Sequence, residues 1–417
     1  MKISLFIFTF FPFFSLEKYI IFPFKEKTKE LNFNDNLYRK EYISTILIGT
    51  PPQKIPLYLK FSQYYFYICN DKNYRIYNKN ISKSFKTKDE KEYYYPSVDF
   101  SKCIFANETF YFLKENNIIT IENLPFILTG NKKYDIIYPS SLGLGSQGFD
   151  SENEYNLIDL LYERSEINKK KFFISFINNT HGYLIIGCDY EEYNNYILKD
   201  YKIEKTYSLI QTYKFDWVIS CDIFINNHLI KFNVDVNLDF NVQFFIFNED
   251  LKHYLDLNFF SQFFEKEICF FEEINNKYLL YYCVSDDFEK ELINFPNISF
   301  FQKELNYTFE INKLDLFRKI ENKIYFNAIF DKYERYYNTF GKPIFLQYQI
   351  VFDLDKKMLS FYFKKNNNET IQKILIIIFL FIIIIIMLFY FLYFKKYFIS
   401  RKYRKNEIIE NFDYIPQ

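Results

Sequence analysis

The chain has 417 residues, long enough for one large two-lobed domain or two ordinary ones with ample core. It carries 54 Phe, 40 Tyr and only 8 Gly, and Lys, Asn and Ile are abundant. All of these except Gly have A/T-rich codons, so a coding bias accounts for the aromatic excess and the Lys/Asn runs. The formal net charge is zero, with no block of one sign, which argues against nucleic acid or another polyanion as a partner.

The first element is an apolar run from Ile3 to Leu16 behind Met1 and Lys2. It has signal-peptide length and is too short to span a bilayer. Ser15 is the only small residue near its end, so a cleavage site is poorly marked. Residues 1–16 are read as a signal peptide and 17–35 as a short leader.

From Tyr42 the chain reads YISTILIGTPPQKIPLYLKFSQYYFYI. Ile46 and Ile48 lead into Gly49-Thr50-Pro51-Pro52-Gln53. Leu57 and Leu59 then continue the alternation of a half-buried strand ending at Lys60-Phe61-Ser62. YNKNISKSF, Tyr77 to Phe85, is a polar turn. Ser140-Ser141-Leu142-Gly143-Leu144-Gly145 precedes a helix predicted over Asn156 to Glu163. Ile174 to Cys188 reads as a hairpin, with Asp189 following, and Asp216-Trp217-Val218-Ile219 as a strand. Val234, Val236 and Leu238 alternate with polar residues and end at Asp239-Phe240-Asn241. Asn248-Glu249-Asp250 then cap a predicted helix. Gly341 to Asp353, GKPIFLQYQIVFD, reads as a strand pair.

In order and spacing these segments resemble the pepsin-like (family A1) aspartic proteases along most of Asn36 to Phe363. The resemblance implies an all-β, bilobal fold with pseudo-twofold lobes, residues 36–200 and 201–363, and a duplicated active-site loop. In that family each loop carries Asp-Thr/Ser-Gly. Here Lys60 stands at the first Asp position and Asp239 at the second. Asp235 is an alternative match to the second, but it leaves the following helix cap out of register. Phe61 and Phe240 stand where the family has the hydroxyls that lock the two loops together, and Ser62 and Asn241 where it has Gly. No Gly occurs between Gly49 and Gly130, so the flap's Tyr-Gly-x-Gly is missing. Tyr93, Tyr94 and Tyr95 are the candidates for its Tyr.

Aspartic proteases need two carboxylates sharing one proton, which forces one pKa upward. An ammonium at position 60 inverts that logic: it favours the ionised form of Asp239 and takes the place of the attacking water. The runner-up, a functional aspartic endopeptidase, would need Asp71 or Asp99 to approach Asp239. No cofactor is expected. The histidines His181, His228 and His253 stand apart and there is no C-x-x-C, so no metal site is expected either.

Ile374 to Phe394 is a run of 21 apolar and aromatic residues, about 30 Å as a helix and so long enough to span a bilayer. It follows a polar stalk, 364–373, and precedes a basic tail, 395–417. With the signal peptide this predicts a type I protein anchored by a single C-terminal helix, in the secretory pathway or at the cell surface. N-x-S/T sequons at Asn80, Asn107, Asn178, Asn297, Asn306 and Asn368 all precede the apolar run and are the glycosylation candidates. Six cysteines form an even set for an oxidising compartment. Cys269 and Cys283 resemble the family's C-lobe disulfide, with Cys69 and Cys103 as the N-lobe candidate. Cys188 and Cys221 are left over, and sequence leaves the connectivity open.

The expected function is that of a monomeric, catalytically inactive homologue binding a peptide or protein ligand in its interlobe groove. A functional endopeptidase and a structural surface protein with a closed groove are the alternatives.

Overall fold

The computed structural model describes residues 18–27, 40–61, 63–70, 77–95, 100–114, 117–130, 140–145, 155–197, 205–209, 217–274, 276–284, 286–311, 313–332, 338–363 and 367–412. The chain divides into two units, residues 1–363 and 364–417. Residues 1–16, read above as a signal peptide, lie outside the described residues.

Among the described residues, the first unit is built on a 13-stranded and a 10-stranded sheet. Strand Tyr42–Ile48 alternates buried and more exposed side chains, as the sequence pattern requires. Turning at Gly49, it pairs antiparallel with Gln53–Lys60, Tyr42 opposite Leu59 and Ile48 opposite Gln53. On its other side lies Ile20–Glu26, a strand within the segment read as a leader. That strand also pairs with His181–Ile186 along six residue pairs. The strand Ile20–Glu26 is therefore part of the body. Tyr348–Asp353 and Met358–Phe363, the last strands of the body, return to this first sheet by pairing Tyr348–Asp353 with Lys171–Phe176.

In each sheet the strand leading to Lys60 or to Asp239 has a short parallel neighbour. Tyr58, Leu59 and Lys60 pair with Ser141, Leu142 and Gly143. Val236, Asn237 and Leu238 pair with Asn338, Thr339 and Phe340. Shifting Lys60 onto Asp239 superposes the two registers, so the halves repeat one topology. Glycine is required in both: a Cβ on Gly143 would lie 2.5 Å from the Tyr64 carbonyl carbon, and one on Gly341 would lie 1.9 Å from the Phe244 carbonyl oxygen.

Both predicted helices form where their caps indicate. Asn156 Oδ1 accepts from the backbone of Ile158 and Asp159 at the start of Leu157–Glu163, and Asn248 Oδ1 accepts from Leu251 at the start of Glu249–Leu255. The segment after Gly341 differs from expectation: Lys342–Gln347 is a short helix before the strand Tyr348–Asp353. Pro343 suits a first helical turn, where its missing N–H costs nothing.

Cys269 and Cys283 face each other across the hairpin Cys269–Ile274/Tyr278–Cys283 and form a disulfide. The Cys69–Cys103 pairing is corrected. Both cysteines are neighbours of Thr129, one on each side of the strand Asn117–Gly130. An interposed strand puts them two strand spacings apart, about 9.5 Å, beyond disulfide reach. Cys69, Cys103, Cys188 and Cys221 are all buried thiols.

The second unit is one helix, Asn367–Phe412. Its stretch Ile376–Ile399, 24 residues, is long and apolar enough to cross a membrane and has no buried residues.

Candidate functional site

Lys60, the last residue of Gln53–Lys60, and Asp239, just past His228–Leu238, stand at equivalent positions, and each is tied to the glycine-bearing neighbour of its own sheet. Leu144 N donates to Lys60 O at 2.8 Å, and Asp239 N donates to Phe340 O at 3.1 Å. Trp217, expected to open the second half, is buried and donates its indole N–H to Leu144 O at 2.8 Å. A buried Trp needs such a partner, and this one ties the second half to the first.

The two loops meet through Asn241 and two phenylalanines. Asn241 Nδ2 donates to Leu59 O at 3.1 Å and to Lys40 O at 3.2 Å, while its Oδ1 accepts from Phe61 N at 3.3 Å. Its backbone N–H donates to Asp239 Oδ1 at 3.0 Å, and its backbone carbonyl accepts from Lys40 N at 2.7 Å. One amide side chain thus makes the cross-loop hydrogen bonds. The Phe61 and Phe240 rings meet edge to face, centroids 4.9 Å apart. Phe61 also packs on Phe172, Phe345 and Phe352. Where the family pattern has hydroxyls, the described residues place an aromatic plug and the Asn241 amide.

Asp239 is buried, 3% exposed, whereas the Lys60 side chain is 28% exposed. The Lys60 ammonium lies 3.9 Å from Glu41 Oε1 and 5.9 Å from the Tyr58 ring centre. Glu41 also holds Lys27 at 3.2 Å, and Lys27 donates to the Tyr58 hydroxyl at 2.6 Å. Burial works against the Lys27 charge, but these partners outweigh it and raise its pKa. Glu41 escaped the sequence reading, although hairpin arithmetic holds its signal. Tyr42 opposite Leu59 extends to Glu41 opposite Lys60.

A second charged group adjoins the loops. Glu26 carboxylate oxygens lie 2.8 Å from Lys40 Nζ and 3.6 Å from Lys342 Nζ. Lys342 is buried, 6% exposed, against the rings of Tyr42 and Phe176, and donates to Asn179 O. Burial draws its ammonium below the usual lysine range despite Glu26. Sequence gave no sign of this cluster, because its members come from four distant segments.

Asp71 and Asp99, the residues a rescued enzyme would need, lie outside the described residues, as do Ser62 and the side chains of Tyr93, Tyr94 and Tyr95. Of the sequon asparagines, Asn80, Asn178, Asn297 and Asn306 are exposed. Asn107 is half-buried in a paired strand, and the side chain of Asn368 is outside the described residues.

No family model matches the chain, and no curated protein matches it. Solved structures do. Basic 7S globulin from soybean aligns with a TM-score of 0.57 at 13% identity, over 83% of this chain and 95% of that one. Conglutin gamma, a unique basic 7S globulin from lupine seeds, aligns with a TM-score of 0.58 at 12% identity, over 84% and 95%. At such identities the likeness shows the fold alone: mostly β, bilobal and pepsin-like.

Proposed function

We propose that this chain is a type I membrane protein whose pepsin-like body is a pseudoenzyme. In this reading it binds an extended peptide or protein segment in the groove between its lobes, by strand-like pairing. The observation that carries this is the composition of the paired loops. A lysine, Lys60, holds one active-site position opposite Asp239, and Phe61, Phe240 and Asn241 fill the surrounding shell. With a lysine in place of one carboxyl, these two loops lack the carboxyl pair that shares a proton to activate water and polarise a scissile carbonyl. Loss of one member of such a pair costs several orders of magnitude in rate. The helix Asn367–Phe412 would anchor the body to a secretory-pathway or surface membrane, with the exposed sequons on its lumenal or extracellular side.

The test is the purified full chain against denatured protein substrates at acidic and neutral pH. No cleavage is expected. Pepstatin-sensitive cleavage that Asp239→Ala abolishes would overturn the reading. A structural protein with a closed groove is the second reading, favoured by the aromatic packing of Phe61 on Phe240. It predicts no peptide binding at any concentration.

A further inference from the structure

A cavity of about 640 Å³ adjoins the Asp239 loop, which contributes Gln243 to its wall, and takes residues from both halves of the body. Its charges do not balance internally. Glu26 is shared between Lys40 and Lys342, while Arg318, also in the wall, has no ion pair among the described residues. Asp315 is the other acid in the wall, and among the described residues it makes no ion pair with Arg318, so three cations face two acids. A guanidinium presents a planar fork of donors suited to a carboxylate.

The hydrogen-bond ledger has a gap of the opposite kind. Asn327, in the same wall, donates its Nδ2 to Asp315 O at 2.9 Å, while its Oδ1 is buried without a donor. An acceptor left this way is unfavourable unless something supplies an N–H. Phe317 and Leu346 add apolar surface beside these groups. What fits is a molecule that brings both an anion and an amide N–H.

We propose that this cavity seats an acidic peptide segment, a Glu or Asp carboxylate against Arg318 and Lys342 and a main-chain N–H on Asn327 Oδ1. The assignment rests on the peptide-binding reading above and adds the chemical class of the peptide. It is tested with the full chain in detergent micelles, by fluorescence anisotropy of labelled Ala-Leu-Glu-Leu-Glu-Ala and its isostere Ala-Leu-Gln-Leu-Gln-Ala. The Glu peptide is expected to bind roughly tenfold more tightly, as one charge-assisted contact would supply. Added salt should shrink that preference. Arg318→Gln, on an exposed side chain, should erase it without changing the unfolding midpoint. Asn327→Leu should weaken both peptides alike. Equal affinity for the two peptides, or a Glu preference that survives Arg318→Gln, overturns this assignment and leaves the groove reading standing. Failure of both peptides to bind sinks the two together.

Discussion

Phe61 sits where the pepsin-like pattern has a small hydroxyl residue, and its ring is buried against Phe172, Phe240, Phe345 and Phe352. Removing such a ring leaves a cavity, so Phe61→Ala should cost about 3–5 kcal/mol in a denaturant titration. Asn241→Ala should cost about 1–3 kcal/mol, because it strands the buried Phe61 N–H and two carbonyls. The two sites touch, so their effects should couple in a double-mutant cycle. If Asn241→Ala is neutral, the amide does not hold the loops together. Lys60→Asp restores the missing carboxylate but not the hydroxyl shell, and it leaves Glu41 facing a new acid in place of the Lys60 ammonium. We expect that variant to stay inactive in a sensitive peptide-cleavage assay; robust turnover would show that Lys60 alone silences the site. That Lys60 and Asp239 fall at equivalent points of the two halves was legible in sequence, because the flanking alternation places both positions. The role of Asn241 was not, since a lost glycine says nothing about what its replacement bonds to.

The end of the hairpin Lys171–Phe176/His181–Ile186 is fastened to the last hairpin of the body by charge. Asp189 accepts from Lys169 and from Lys171, each at 2.7 Å, and Lys171 reaches Asp353 at 3.2 Å. Burial alone would raise the Asp189 pKa, but the two lysine hydrogen bonds outweigh it and hold the carboxyl below its ordinary 3.8. A depressed carboxyl stabilises the fold above its unfolded value, and that stability is lost as pH falls through the folded value. Lys169 and Lys171 are shifted upward from 10.5, so their share persists below that value and is lost as pH rises through their folded values. The stability gap between the native chain and Asp189→Asn should therefore be widest near neutrality and narrow below about pH 4. Urea midpoints across that range check this, and a gap independent of pH would refute it. Local elements here were largely readable: the alternation of Tyr42–Ile48 and the caps Asn156 and Asn248 are short-range signals. Pairings that join distant segments were not. Asp353 opposite Lys171, and a strand inserted between Cys69 and Cys103, are products of chain topology that no local pattern encodes.

At the scale of the whole molecule, the body ends at Phe363 and a separate unit begins at Lys364. Apolar side chains along Ile376–Ile399 are exposed, a state that water penalises and lipid does not. Each Leu, Ile or Phe there favours insertion by roughly 0.3–0.6 kcal/mol, so a span of this composition is strongly driven into a bilayer. A helix satisfies its own backbone polar groups, which makes the insertion feasible. The full chain should therefore enter the detergent-rich phase in a cloud-point separation, whereas a chain ending at Phe363 should stay in the aqueous phase. Orientation is a separate question, and the sequons offer a test of it. Asn80, Asn178, Asn297 and Asn306 are exposed and precede the helix. If the body faces the lumen, glycosidase treatment of the chain from a eukaryotic host should lower its apparent mass, and substituting these four asparagines should remove most of that shift. A full chain that partitions into the detergent phase yet carries no glycan would keep the anchor and overturn the lumenal placement.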